Sequence, residues 1–480
     1  MTPADLISPD TLPGYDGLVA RLRTDERSFF DSAQPVFIAR APGRLDVMGG
    51  IADYSGATVC EMPIAEAALV ALQWRDDGLI RVRTTAAVST PEISLRLNEL
   101  FAGGAAPDYA TASARLAKSA ARAWAAYIVG ALIVLAREAG VKFTRGANLL
   151  VDSSVPLGKG VSSSAAIEVA TLRALTAAVG LEIDGYDLAV LAQMVENRVA
   201  GAPCGLMDQL TSALGREDHL LCIRCQGRSE PALIRIPSQL HFIGIDSGVR
   251  HAVSGASYGD VRTAAFMGWR IIADHLKLKA EAASDGQVRI DDPVYGGYLT
   301  NIPPSVFQAR YAGRLPERMN GAEFLERYGG ITDAVTRVDA NTDYAVRAAA
   351  AHPVEEEHRI RLFISLLESA STDDERLRLL GELMFQSHES YSRCGLGSDA
   401  TDELVEAVRQ AGPQCGLFGA KITGGGSGGT VAVLAAGEAG LAAAQKVAQS
   451  YARRRGIKPY LFRASSPGAM SVAVKEISLT

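Results

Sequence analysis

Pro156-Leu-Gly-Lys-Gly-Val-Ser-Ser-Ser-Ala-Ala166 is the stretch on which the reading of this chain turns. Gly158 and Gly160 lack a Cβ, so the backbone can turn tightly there and approach a ligand closely. Asn148–Val151 before it reads as a strand, and Ser162–Val179 after it as one long alanine-rich helix. Strand, glycine turn and helix therefore follow in order. The N-terminus of such a helix presents free N–H groups and a partial positive charge, which suits a phosphate chain. The serine hydroxyls add donors or an oxygen ligand for magnesium. A plain N-capped helix after a turn would account for the same residues, and the lysine-threonine ending of a Walker A loop is missing.

Two further segments are glycine-dense. Residues 423–430 read TGGGSGGT and contain GxGxxG at Gly424, Gly426 and Gly429. A dinucleotide fingerprint opens a helix, whereas Val431–Leu434 reads as a strand, which argues against a Rossmann dehydrogenase. Residues 40–56 read RAPGRLDVMGGIADYSG and set Arg44, Asp46 and Asp53 around tight turns. Taken singly, each of those charges could belong to an exposed salt bridge. The clustering explains a composition that is otherwise ordinary: glycine is 47 of 480 residues, against a usual share of ~7%.

The remaining composition excludes several classes. Hydrophobic residues at 48% and charged residues at 21% describe a globular chain long enough for two domains. A net charge of -6 with no basic block argues against nucleic-acid or membrane-surface binding. The longest apolar run, Ala123–Ala136, is too short to span a bilayer and reads as a buried helix. The first ten residues lack the basic and apolar regions of a signal peptide, so a cytoplasmic protein is expected. Six cysteines make no disulfide framework; Cys222 and Cys225 form a single CxxC that reads as two reduced strand residues rather than a zinc site.

Further helices are expected at Ala114–Ala139, Gly185–Val199, from Met207, and at 355–390, 401–411 and 437–455. Strands are expected at 219–225, 232–236, 241–246, 428–434 and 470–475, while 280–330 follows no clear period. Strands and helices without strict alternation favour an α+β fold. The crossover between two halves is placed between 215 and 240, giving an N-terminal domain over 1–235 and a C-terminal domain over 236–480.

Together, the segments at 41–44, 156–166 and 423–429 resemble the GHMP kinases, which include galactokinase, homoserine kinase and mevalonate kinase. The resemblance runs from about residue 36 to the C-terminus. Glu196 to Gln209, ending GAPCGLMDQ, and Asp246 to Tyr258 resemble the galactokinase branch. The implied fold is the two-domain α+β GHMP kinase fold, with the active site between the domains. The implied partners are ATP, Mg²⁺ and a small sugar, with a monomer or homodimer as the assembly. One departure stands out. Galactokinases read GEHTDY where this chain reads Gly49-Gly-Ile-Ala-Asp-Tyr54, so the glutamate and histidine used near the sugar's C6 hydroxyl are Gly50 and Ile51. That suits a pentopyranose of galactose-like stereochemistry without C6, namely L-arabinose. Residues 48–56, 394–404, 420–430 and the region 296–330 resemble the kinase portion of the plant L-arabinokinases, and the expectation is a free-standing kinase.

Carried residue by residue, the resemblance gives Asp208 the role of general base at the anomeric hydroxyl and Arg44 that of its charged partner. Ser164 and Glu196 would bind Mg²⁺. Pro156, Gly158, Lys159, Gly160, Val161, Ser162, Ser163 and Ser164 would cradle the nucleotide, with Trp124 and Tyr127 near the adenine or simply in the core. Arg44, Asp53, Gly205, Asp208, Tyr258, Gly425 and Gly426 would line the sugar site. Lys159 could reach a phosphate or point to solvent. His251 is expected to make a structural hydrogen bond, and His388 a surface pair beside Glu389. The alternatives are a kinase of galactose or another galactose-like sugar, and a non-catalytic ATP- and sugar-binding regulator.

Overall fold

β1 (Val36–Met48) and β2 (Thr58–Arg75) are long, almost wholly buried strands paired antiparallel, and the molecule is assembled on them. The computed structural model describes residues 6–117, 123–250, 258–283, 286–369, 373–458 and 460–479. The register of the pair shifts between Pro42 and Arg44 and again between Asp46 and Met48. Pro42 has no N–H for the ladder, and bulges of this kind re-aim the side chains around them. Here they frame Arg44 and Asp46. The first sheet continues with β3 (Leu79–Thr84), β4 (Glu92–Arg96) and β5 (Gly146–Ser153), in the order β1-β2-β5-β3-β4 with only β3 and β5 parallel. β6 (His219–Arg224) extends β2, and β7 (Ala232–Arg235) pairs with β6.

Helices cover this sheet: α1 (Ala126–Glu138), α2 (Ser163–Val179), α3 (Gly185–Met194) and α4 (Met207–Leu214). They share one apolar cluster with β1, β2 and β5. β8 (Leu240–Asp246) opens the second half and is followed by α5 (Tyr258–His275). Two small hairpins come next, β9 (Ala280–Ala282) with β10 (Val288–Ile290), and β11 (Met319–Asn320) with β12 (Asp343–Tyr344). Then follow α6 (Val346–Glu368), α7 (Asp374–Arg393) and α8 (Asp399–Ala411). β13 (Leu417–Ile422), β14 (Thr430–Ala436), α9 (Gly437–Arg455) and β15 (Leu461–Phe462) complete an antiparallel sheet of order β13-β14-β8-β15. The last strand, β16 (Lys475–Ile477), returns to the first sheet and pairs with β1.

The mixed α+β architecture is the expected one, and three local readings are corrected. The helix expected through Val199 ends at Met194 and passes into a π turn over Val195–Ala200, because the extra residue per turn keeps the same apolar positions inward. The closing strand lies at Lys475–Ile477; Met470 sits in a short 3₁₀ turn, Ala469–Ser471. The single helix expected over 355–390 is two, α6 and α7. Residues 280–330, unreadable by period, form a packed insertion: Leu299, Phe307, Tyr311 and Phe324 join one apolar cluster with α5. The cysteines are all free among the described residues, and Cys60 and Cys222 lie opposite each other across β2 and β6 with sulfurs 3.2 Å apart. No helix among the described residues is long and apolar enough to cross a membrane.

Candidate active site

A cavity of about 540 Å³ collects most of the residues singled out in the sequence. Arg44, Asp53, Gly158, Gly160, Val161, Ser162, Ser163, Ser164, Glu196, Gly205, Asp208, Tyr258 and Gly425 all line it. Three supports converge there. β1 supplies Arg44, the turn after it supplies Asp53, and α4 carries Asp208 in its first turn.

Arg44 is the hub. Its Nε–H and Nη2–H both donate to Asp208 Oδ1, at 2.9 and 2.8 Å, and its Nη1–H donates to the Gly160 carbonyl at 2.7 Å. The guanidinium also lies 3.2 Å from Glu61 Oε2 on the neighbouring strand. Burial works against its charge, but Asp208, Glu61 and Asp46 outweigh that and hold the guanidinium protonated beyond any working pH. The side chain is 2% exposed, so the reading of Arg44 as an exposed salt bridge is corrected to a fully internal one. Asp46 and Asp53 are likewise internal, at 0% and 4% exposed, Asp46 paired with Lys421 and Asp53 with no ion-pair partner among the described residues.

Asp46 ties the site to the second half of the molecule. Its carboxylate accepts from Lys421 Nζ at 2.7 Å and from the Gly424 and Gly50 amides, both at 3.1 Å, while its own N–H donates to Thr423 Oγ1 at 2.8 Å. The glycine-rich loop between β13 and β14 is thereby held against the phosphate loop. Thr430 Oγ1 donates to the Lys159 carbonyl at 2.8 Å. Gly429 has φ +83° and no room for a Cβ beside that same carbonyl. The loop before α2 is built on left-handed residues, Gly158 at φ 70°, Gly160 at 69° and Ser162 at 59°. Ser162 is the N-cap of α2, yet its buried hydroxyl caps nothing and has no hydrogen-bond partner. The first amides of a 17-residue helix and a free serine hydroxyl therefore face the cavity together.

Asp53 forms the opposite wall. Its Oδ1 accepts from the Tyr54 amide at 2.6 Å, whereas the buried Oδ2 has no partner. Burial is the chief influence and pushes this carboxyl up to about 7, against the opposing pull of Arg262. Gly205 is required here, since a Cβ on it would overlap Asp53 Oδ2. Tyr258 lines the same wall, and burial first, then Asp53, raises its phenol well above the usual range.

The phosphate end carries an acidic pair. Gln209 Nε2 donates to Glu196 Oε2 at 2.7 Å and to Glu168 Oε2 at 3.2 Å. Burial and then Asp208 push Glu196 up to about 7; burial and then Glu196 push Glu168 well above its usual range. Ser164 beside Glu196 opposes the rise of that carboxyl. Glu168 Oε1 and Gln209 Oε1 are buried without partners. An oxygen-only donor set with unfilled acceptors fits a hard divalent cation. Among the described residues no three acidic, His or Cys side chains enclose a metal position.

Some expected residues do not reach the cavity. Lys159 is not in the lining, and its ammonium pairs with Asp246 at 2.9 Å rather than pointing freely to solvent. Trp124 packs on the core, and its indole N–H donates to the Thr90 carbonyl at 3.0 Å. Tyr127 is half-buried beside Glu196 and Glu168, which together with burial raise its phenol. Pro156 and Gly426 stay outside the lining; a Cβ at Gly426 would strike Leu396. His388 is buried rather than superficial, with Nε2 3.1 Å from Asp402 and Nδ1 accepting from the Ile422 amide at 3.4 Å. His251 lies outside the described residues.

Gly50 has a role the sequence did not disclose. It sits at φ +39°, and a Cβ there would overlap the hydroxyl of Tyr391. That hydroxyl accepts from the Ile51 amide at 2.9 Å and donates to the Gly424 carbonyl at 3.1 Å. The side chain missing at residue 50 is thus replaced by a phenol from α7, with Ile51 fully buried beside it. Arg262, Asp333 and Lys421 were also missed, each being one charge isolated in an apolar or aperiodic stretch.

Comparison with known proteins agrees with this geometry. The chain matches the GHMP kinases N terminal domain over residues 126–216 and the GHMP kinases C terminal domain over 363–454. It matches the galactokinase galactose-binding signature over 27–73. It is 43% identical to the L-arabinokinase of Arabidopsis thaliana over 495 aligned residues, which cover 94% of this chain but 47% of that protein. This chain thus spans about half the length of that relative. A galactokinase of Chloroflexus aurantiacus is 30% identical, with 88% of this chain and 90% of that one covered. Among solved structures, the galactokinase of Lactococcus lactis complexed with galactose superposes with a TM-score of 0.71 at 19% identity, covering 96% of this chain and all of the other.

Proposed function

This chain belongs to the GHMP kinases, in their galactokinase branch, and on that premise we propose that it transfers the γ-phosphoryl group of ATP to the anomeric hydroxyl of L-arabinose. The observation that carries the reading is the joint placement of the Arg44–Asp208 pair, the phosphate loop and the unpartnered Asp53 oxygen in one cavity. Asp53 Oδ2 accepts from ring hydroxyls and orients the sugar. Asp208 takes the proton of the anomeric hydroxyl as its oxygen bonds to the γ-phosphorus and the bond to the ADP oxygen breaks. Arg44 holds Asp208 in place and, with the α2 amides, stabilises charge on the transferring group. Ser164 and Glu196 would hold Mg²⁺, which would neutralise phosphate charge. Such a reaction needs alignment and charge compensation far more than covalent chemistry.

Two findings favour L-arabinose over galactose. One is the identity to the plant L-arabinokinase. The other is Gly50, where any larger side chain meets Tyr391, so the C6-binding glutamate of galactokinases has no room. The match to a galactose-binding signature supports galactose as the second reading. An ADP-release assay against L-arabinose, D-galactose, D-fucose, D-galacturonate and D-xylose separates them. L-arabinose is expected to turn over fastest; galactose outrunning it would overturn the pentose assignment. ATP binding without turnover of any sugar would instead favour the regulator.

A further inference from the structure

Beside the first cavity lies a second of about 620 Å³, and Asp53, Cys204 and Gly205 line both. Cys204 and Gly205 are held from the side of the second cavity. Asn197, in the π turn, does so at one edge: Cys204 N–H donates to its Oδ1 at 2.8 Å, and its Nδ2 donates to the Cys204 carbonyl at 3.3 Å. Arg262, on α5, supports the same carbonyl through Nη1–H at 3.2 Å. Its other two nitrogens are locked on Asp333, Nε to Oδ2 at 2.7 Å and Nη2 to Oδ1 at 2.8 Å. The guanidinium is 6% exposed and Asp333 4%.

This geometry resolves a conflict. A buried carboxylate such as Asp53 needs a nearby positive charge to stay ionised, yet a direct ion pair would occupy the oxygen that a ligand must use. A bidentate fork fixed on Asp333 supplies the charge and is unable to swing onto Asp53. Asp53 Oδ2 accordingly has no partner. We infer that Arg262 is a positioning residue of the sugar pocket: braced by Asp333, it fixes the Cys204–Gly205 wall and presents Asp53 with a positive charge that leaves its Oδ2 open.

The other charged or titratable groups facing Asp53 are Tyr258 on α5, Arg44 on β1, Asp208 on α4, Tyr54 beside it in the same turn, and Cys225 after β6. Arg262 is the main group holding the Asp53 carboxyl down against burial.

The inference rests on Asp53 being the sugar-binding carboxylate, and the test separates the two. Sugar and ATP KM values are measured from pH 5.5 to 8.5 on the full chain for wild type, Arg262→Gln and Asp333→Asn. In Arg262→Gln the sugar KM should rise about tenfold and the acid limb of kcat/KM for sugar should move up by about one pH unit, the equivalent of one tenfold step in proton affinity. In Asp333→Asn the freed fork reaches Asp53 and competes with sugar, so sugar KM rises while the acid limb moves down. ATP KM should stay within about twofold in both. Limbs that move together, or stay put, or equal losses in both KM values, would overturn the inference. If Arg262→Gln does not fold, Arg262→Lys keeps the charge and should keep the wild-type limb with a raised sugar KM; a shifted limb there overturns it too. A wild type with no saturable dependence on any sugar overturns the proposed function instead.

Discussion

As the proposed sugar acceptor, Asp53 is expected to govern how sugar binding depends on pH. Its carboxyl is raised from 3.8 to about 7 by burial, which makes the ionised form costly by ~4 kcal/mol in the free protein. Because the folded value exceeds the unfolded one, the cost is absent below about pH 4, grows through neutrality and is complete above about 7. Sugar hydroxyls donating to Oδ2 relieve it, so binding should release a proton near neutrality. Sugar KM is therefore expected to climb by about tenfold per pH unit below 7 at saturating ATP, and a flat profile would exclude Asp53 as the acceptor. Asp208 acts on rate instead. Asp208→Asn should lower kcat by about 10²–10⁴ with ATP affinity retained, read by single-turnover assay and equilibrium binding. Gly50→Ala forces a Cβ onto the Tyr391 hydroxyl and should lower stability by about 1–3 kcal/mol in urea titration.

Among the elements, α2 and the loop before it depend on partners far away in sequence. The Lys159 and Gly160 carbonyls are held by Thr430 and Arg44, so the loop before α2 is tied to both sheets. Thr430→Val removes one such bond. It should raise ATP KM by about fivefold, corresponding to ~1 kcal/mol, with sugar KM unchanged in steady-state assays. The strand, glycine turn and helix around residue 158 were legible because each has a local cause: apolar run, missing Cβ, alanine-rich period. The π turn at Val195–Ala200 was not, since one extra residue leaves the apolar pattern almost intact while it turns Asn197 toward Cys204. Lys159 misled for a related reason. Its position in a phosphate loop is local information, whereas its partner Asp246 lies at the end of a strand in the other sheet.

At the scale of the molecule, buried charge pairs join the two sheets. Lys421 and Asp46 are both 0% exposed and reach across from β13 to β1. Removing one partner strands the other, so Lys421→Met should lower stability by about 3–5 kcal/mol in chemical denaturation, far more than an exposed lysine would. A double variant Lys421→Met with Asp46→Leu should recover part of that loss. Nothing in the sequence marks this pair, since 375 residues separate its members. The family motifs converge on one cavity, but the ion pairs around it join residues too far apart in sequence to be read there.

β16 has a consequence for how the protein is made. It lies beside β1, and just before it Ser466 accepts from the buried guanidinium of Arg40 in that same strand. The strand that starts the first sheet thus leaves the ribosome hundreds of residues ahead of the segment that completes it. During that interval Arg40 lacks Ser466, Asp46 lacks Lys421 and Gly424, and the glycine loop that Arg44 and Asp46 organise has not been synthesised. A kinase built this way cannot finish its N-terminal half first. Truncating the last residues would damage the earliest strand, and two halves expressed separately should assemble only when mixed.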